Sequence, residues 1–320
     1  MNTFTNNTNI PLSLALWLTV DNYDYSKDKN TISVTSLIKP IKSIILSSRL
    51  NNSSIDVSDL VQSRMGSVLH DSIESSWLEN TDNLKYFLPQ KILDKININP
   101  QIPSTSLVDV YLEKRVSRQL GNWTVTGKFD FCSDGCLEDF KSTSVTGYLL
   151  GSNVDKYREQ GSMYRWLNPD IITKDYMYIR YVFTDWNKQQ SFRDKNYPPN
   201  RLHSQKIELM SLEDTENMIK SRLNLIDKYI NSDESEIPPC TREELWQRED
   251  VYKYYKNPDK LDRSTKNFSN YYDAYERLVS DNSVGVIKTI IGDIKRCNYC
   301  SAISICNQAR EYINEGLVKL

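Results

Sequence analysis

The run Gly127-Lys128-Phe129-Asp130-Phe131-Cys132-Ser133-Asp134-Gly135-Cys136-Leu137-Glu138-Asp139-Phe140-Lys141 leaves its backbone few choices. Asp134-Gly135 between two β-prone segments is the signature of a two-residue type I′ turn, in which both central residues need positive φ. Such a turn sets the register: Ser133 opposite Cys136, Cys132 opposite Leu137, Phe131 opposite Glu138 and Asp130 opposite Asp139. Side chains alternate along a strand, so Asp130, Asp139 and Lys141 share a face, with Lys128 opposite Lys141. The two carboxylates then have Cβ atoms about 5 Å apart. Phe129, Phe131 and Phe140 take the other face and are available to a core. Opposed carboxylates repel unless a proton or cation lies between them. Mg²⁺ or Mn²⁺ held there lowers the pKa of a bound water, and Lys141 can orient that water or meet charge on a phosphorane. These are the parts of phosphodiester hydrolysis. A solvated face on which lysines neutralise aspartates accounts for the same residues, and the hairpin alone leaves both readings open.

The rest of the 320 residues reads as a mixed α/β order without internal repeats. Residues 33–49 predict a helix with Pro40 near its first turn, and 50–54 a polar break. Val61, Met65, Leu69, Ile73 and Trp77 recur at helical spacing between residues 58 and 77. Strands are predicted over 106–116, 122–132, 136–142, 176–184 and 204–210. A helix is predicted from Asn153 or Asp155 to Leu167, and Ser211-Leu-Glu-Asp214 opens another to Tyr229 with a capping-box pattern. Residues 231–239, acidic and ending in two prolines, are the linker candidate. They divide the chain into a core over 1–232, with an N-terminal helical part, and a Cys-bearing helical lobe over 233–320. Hydrophobic residues at 39% and charged residues at 26% give a globular balance. A net charge of −2 argues against a protein that coats nucleic acid, though not against one that grips a few phosphates. Met1 to Leu16 lacks the basic start of a signal peptide, and no apolar run is long enough to span a bilayer, so a soluble intracellular protein is expected.

Two further pieces stand in order around the hairpin. Gly66-Ser-Val-Leu-His70 lies within the first long helix, where a lone histidine serves equally as a packed boundary residue. Gln160-Gly-Ser-Met-Tyr164 sets Gln and Tyr one helical turn apart on one face. In sequence, G-x-x-x-H, G-x-x-D, D-x-K and Q-x-x-x-Y at 66–70, 127–130, 139–141 and 160–164 resemble the RecB-family branch of the PD-(D/E)XK nucleases over roughly residues 33–186. The resemblance implies a restriction-endonuclease-like mixed sheet flanked by helices. It implies that His70, Asp130, Asp139 and the Phe140 carbonyl hold Mg²⁺ or Mn²⁺ and that Lys141 is catalytic. Gln160 and Tyr164 would position the lysine, the phosphate or the strand, and Glu113 would be a supporting acid. The chain also resembles phage-encoded exonucleases. That implies DNA with a free end as substrate, replication or recombination proteins as partners, no membrane association, and a cytoplasmic location, the host cytoplasm for a phage protein. Lys39, Lys42, Lys128, Lys156 and Arg158 are the basic residues near the motifs that could follow one strand.

Cys297, Cys300 and Cys306, with Cys240 at the end of the linker candidate, have a spacing that suits a Zn²⁺ site or a [4Fe–4S] cluster. Buried free thiols account for the same residues. The C-x2-C-x5-C tail resembles the iron–sulfur staple of the AddB-like and CRISPR-adaptation-like members of the family, whose fourth cysteine precedes the nuclease motifs. Here residues 33–49 hold no cysteine, and Cys240 takes that place. Cys132 and Cys136 flank the hairpin tip and read as structural. The expected activity is metal-dependent DNA cleavage from an end. A structure-specific endonuclease, or a non-catalytic DNA-binding or scaffolding subunit, fits the same fold.

Overall fold

The computed structural model describes residues 3–20, 28, 30–50, 54–104, 106–151 and 153–319. In chain order the elements are β1 (Thr3–Thr5), α1 (Leu12–Thr19), β2 (Thr31–Ser33), α2 (Val34–Leu37), α3 (Ile41–Ser48), β3 (Ser54–Asp56), α4 (Val61–Glu79), α5 (Gln90–Leu93) and β4 (Ile96–Ile98). They continue with β5 (Val108–Leu120), β6 (Trp123–Ser133), β7 (Cys136–Thr143), α6 (Val145–Leu149), α7 (Val154–Leu167), β8 (Tyr176–Phe183), α8 (Lys188–Arg193), β9 (Leu202–Glu208) and α9 (Leu212–Tyr229). The last are β10 (Val251–Tyr255), β11 (Lys266–Phe268), α10 (Tyr271–Ser280), β12 (Val286–Ile290) and α11 (Asn307–Asn314). Contacts divide them into two compact units: Met1–Lys39 with Asn52–Leu225, and Pro40–Asn51 with Ile226–Leu320. The sequence puts its boundary at 232/233. The observed division falls inside α9 and assigns residues 40–51 to the smaller unit. No helix among the described residues is long and apolar enough to cross a membrane.

The larger unit is a mixed α/β structure around a sheet ordered β4-β5-β6-β7-β8-β9, with β2 also paired to β6. β5 lies along one edge of β6 from Val110↔Ser133 to Leu120↔Trp123. The other edge is shared: β7 pairs with Phe131–Ser133, and β2 runs parallel to Thr124–Thr126. Between those stretches, at residues 127–130, the sheet forks. β7 to β8 is a parallel step, which needs a crossover, and α6 and α7 supply it. α7 packs on β5, β6 and β9, burying Met163, Tyr164, Trp166 and Leu167. A Cβ on Gly127 would come within 2.8 Å of Leu167 and 2.9 Å of Tyr164, so glycine lets α7 approach β6.

Several expectations change. The helix expected over 33–49 is three elements, β2, α2 and α3. Pro40 cannot continue a helix and disfavours helical φ/ψ at Lys39, so it is the N-cap of α3 instead. Of the polar break at 50–54, residues 51–53 lie outside the described residues. The apolar stripe of α4 is only partly covered: Val61 and Met65 are exposed, Leu69, Ile73 and Trp77 are half-buried, and the Trp77 ring lies 5.1 Å from that of Phe131. At α9 the Ser211 hydroxyl accepts from the Asp214 N–H at 3.0 Å and lies 2.7 Å from its carboxylate, a capping box closed side chain to side chain.

In the smaller unit, residues 231–239 are not a loose linker. Ile237 is buried with Ile45, Leu46 and Ala302, and Glu234 meets Lys42 at 3.2 Å and accepts from the Asn307 N–H. Nor is this unit purely helical. β11, β10 and β12 form an antiparallel sheet with α10 against it. The β-prone run Val251-Tyr-Lys-Tyr-Tyr255 is the sequence signal for β10.

Candidate active site and cysteine pocket

Both turn residues adopt the positive φ a type I′ turn requires, 49° at Asp134 and 74° at Gly135. The register holds from Ser133↔Cys136 to Phe131↔Glu138 and then stops. Past that point the strands part, and the Asp130 carboxylate accepts a hydrogen bond from the Phe140 N–H at 3.2 Å instead of facing Asp139 across a ladder rung. On the other side the β5–β6 ladder skips the pair Glu113–Asp130, and Glu113 takes φ 46°. A non-glycine residue there is strained by roughly 1–2 kcal/mol.

The fork opens into a cavity of about 610 Å³. Its lining includes Ser33 and Thr35 from the β2–α2 junction, Gly66, Ser67 and His70 from α4, and Glu113 from β5. Gly127, Lys128 and Asp130 come from β6, Asp139 to Ser142 from β7, and Gln160 and Tyr164 from α7. Gly66 and His70, Gly127 and Asp130, Asp139 and Lys141, and Gln160 and Tyr164 thus line one cavity.

His70 lies between two acceptors. Its Nδ1 is 3.2 Å from Asp130 Oδ2, and its Nε2 is 3.0 Å from the Phe140 carbonyl oxygen. Burial works against the imidazolium, but the hydrogen bond and charge of Asp130 outweigh it and raise the ring's pKa. Burial likewise pushes Asp130 upward, yet the His70 hydrogen bond, Lys141 and the Phe140 N–H hold it below the usual carboxylate range. Asp139 is 3% exposed, and burial raises its pKa against the pull of Lys141. Lys141 Nζ sits 2.5 Å from Asp139 Oδ2, an oxygen that makes no aligned hydrogen bond. Burial opposes the Lys141 charge, but Asp139 and Asp130 more than restore it.

Glu113, His70 and Asp130 each bring a ligand atom within 4.8 Å of the other two. Burial raises Glu113, opposed by its ion pair with Lys128. The sequence offered Glu113 only as a supporting acid, because nothing local announces a left-handed residue in a strand. The Gln160 amide donates to the Tyr164 hydroxyl at 3.1 Å. Tyr157 was missed: its ring lies 5.7 Å from Lys141 Nζ. Its spacing from Gln160 and Tyr164 on one helix face was the available signal. Of the basic residues near the motifs, Lys42 belongs to the smaller unit, where it is 7% exposed and paired with Glu234.

In the smaller unit Cys240, Cys297, Cys300 and Cys306 line one cavity, with Lys42, Ser43, Arg296 and Gln308. Gln308 clamps Cys240, accepting from its N–H at 2.9 Å and donating to its carbonyl at 3.0 Å. The Ser43 hydroxyl is 3.4 Å from Cys300 Sγ. Burial pushes the Cys240 thiol up to about 12 and Cys297 to about 11, and it raises Cys306 as well. Among the described residues no three of these sulfurs lie within 4.8 Å of one another. Cys132 is buried with its thiol 3.6 Å from the Ile171 carbonyl, while Cys136 is half-buried.

No protein-family model matches the chain, and no curated protein does. A solved structure described as that of SSO0001 is similar over 67% of this chain and 85% of its own, at 16% identity and a TM-score of 0.41. A likeness that slight bears on neither the site nor the fold.

Proposed function

We propose that the larger unit is a divalent-metal-dependent DNA nuclease of the PD-(D/E)XK type, in its RecB-like branch, acting from a free end. One observation carries the reading. The Asp130 carboxylate and the Phe140 carbonyl converge on His70, with the buried Asp139–Lys141 pair in the same cavity. Imidazolium satisfies both acceptors, and a cation on the same atoms would do so equally. The Asp139 carboxylate beside Lys141 and the Glu113 carboxylate add hard oxygen donors suited to Mg²⁺ or Mn²⁺. Such an ion polarises a phosphate and lowers the pKa of a water.

The chain's own residues do the remainder. Lys141, kept charged by Asp139 and Asp130, offers a fixed positive charge to a pentavalent phosphorus. Asp130 is oriented by the Phe140 N–H, and Gln160 with Tyr164 forms a polar wall against a bound strand. The four cysteines fit a thiolate-ligated centre of stability, by sharing one cavity. The resemblance of the C-x2-C-x5-C tail to an iron–sulfur staple is the reason for preferring a [4Fe–4S] cluster to zinc there.

The test is a time course on end-labelled linear and covalently closed circular DNA, single- and double-stranded, with Mg²⁺, Mn²⁺ or EDTA. Linear DNA is expected to be degraded progressively and circles to survive. Asp139→Ala and Lys141→Ala should each cut the rate at least about a hundredfold while the protein stays folded. Equal cutting of circles establishes an endonuclease. DNA binding without cutting under any metal establishes a non-catalytic subunit.

A further inference from the structure

Lys42, Ser43, Arg296 and Gln308, four charged or polar side chains, accompany the four cysteines around their cavity, and they are not equivalent. Lys42 has its counter-charge in Glu234, 3.2 Å away, and Gln308 is spent on the Cys240 backbone. Arg296 is half-buried with its guanidinium over the Trp246 ring, 4.7 Å from the centroid. Among the described residues no carboxylate comes within ion-pair distance of it. It lines the same cavity as Cys240, Cys297, Cys300 and Cys306. A guanidinium taken partly out of water without a counter-charge is costly. Four thiolates around a divalent ion, or around a four-iron core of charge +2, leave a net charge of about −2 beside it.

We propose that Arg296 is the counter-charge of a metal centre formed by Cys240, Cys297, Cys300 and Cys306, and that it governs how firmly the centre is held and how readily an iron cluster there is reduced. The proposal rests on the reading of these cysteines as metal ligands. Arg296 acts through the centre's charge: a fixed cation stabilises the more negative state, which is the reduced one. Removing it leaves the thiolates less compensated and the metal easier to extract.

The experiment uses full-length protein purified without oxygen as wild type, Arg296→Gln, Arg296→Met, Arg296→Lys and Trp246→Leu. Iron and zinc contents are measured, then the rate of metal loss to a chelator and, where iron is present, the midpoint potential. Arg296→Gln is expected to lose metal several-fold faster. Its one-electron equilibrium should move about tenfold toward the oxidised state, about 59 mV. Arg296→Met repeats the comparison with less disturbance to packing should the glutamine variant not fold. Arg296→Lys and Trp246→Leu, which both keep a positive charge, should leave the potential near wild type. A zinc-bearing protein is judged on loss rates alone. Neutral variants that hold their metal as wild type does overturn the role of Arg296 and leave the metal centre standing. Wild-type protein with neither iron nor zinc overturns both.

Discussion

Single residues at the fork show how much a local choice can mean. Gly66 occupies the middle of α4, where glycine is worth about 1 kcal/mol less than alanine. A Cβ there would meet nothing within 4 Å, so packing does not require the glycine. It lines the cavity, and the small residue leaves room for what enters. Gly66→Ala is therefore expected to raise stability by about 0.5–1 kcal/mol while slowing the proposed DNA cleavage. Thermal melts and initial rates at fixed Mn²⁺ check it, and a stabilised variant with full activity would remove Gly66 from the substrate path. Glu113 is the opposite case. Its positive φ accompanies the turn of its carboxylate toward His70 and Asp130.

At the scale of elements, the hairpin turn and the N-terminal strand pair are each held by a few exact contacts. A Cβ on Gly135 would fall 2.0 Å from Thr173 Oγ1, at a φ of 74°. Gly135→Ala should therefore cost about 1–3 kcal/mol, read as a lowered urea midpoint at constant slope. In the pairing of β1 with β3, the Asn7 and Ser58 N–H groups donate to Asp56, along with the Ser58 and Thr5 hydroxyls. Those bonds hold its pKa down to about 2 from an ordinary 3.8. A depressed carboxylate contributes stability that is present above its unfolded pKa and lost as pH falls through the folded one. Hydrogen exchange at the Asn7 amide, corrected for its intrinsic pH dependence, should lose protection between pH 4 and about 2, and Asp56→Asn should remove that step. A flat profile in the wild type would mean the bonds do not persist in solution.

For the molecule as a whole, the two units carry different chemistry: a hard-oxygen and imidazole site in one, a sulfur-lined pocket in the other. The smaller unit gathers segments from 40–51 and from 226 onward, so closing it brings distant parts of the chain together. A metal centre on Cys240 and the C-terminal triplet would close a long loop and contribute folding free energy directly. Replacing Cys297 and Cys300 by serine is expected to expose the β10–β12 region to limited proteolysis while residues 54–225 stay resistant. Uniform sensitivity across the chain would show that the pocket stabilises no particular part.

What the amino-acid order determined by itself is the part governed by short-range physics. The Asp134-Gly135 turn dictated its own φ values and the register as far as Phe131↔Glu138, because only that geometry joins two strands through two residues. Helical spacing put Gln160 and Tyr164 on one face of α7, and the Ser211–Asp214 pair marked the start of α9. The order of the four motifs was legible for the same reason, each lying within one element. Only the tertiary structure decided that β2 takes the lower edge of β6, which parts β7 from it and moves Asp130 off Asp139 toward His70 and the Phe140 N–H. Nothing near residue 130 encodes that, since the competing strand lies about a hundred residues away. The break of the helix at Pro40 was written locally, but the transfer of residues 40–51 to the cysteine-bearing unit was not. The same holds for the anchoring of 231–239 by Ile237 and Glu234, and for the exposure of Val61 and Met65 in the stripe of α4. Periodicity says which face of an element is apolar; what that face meets depends on contacts between residues far apart in the chain.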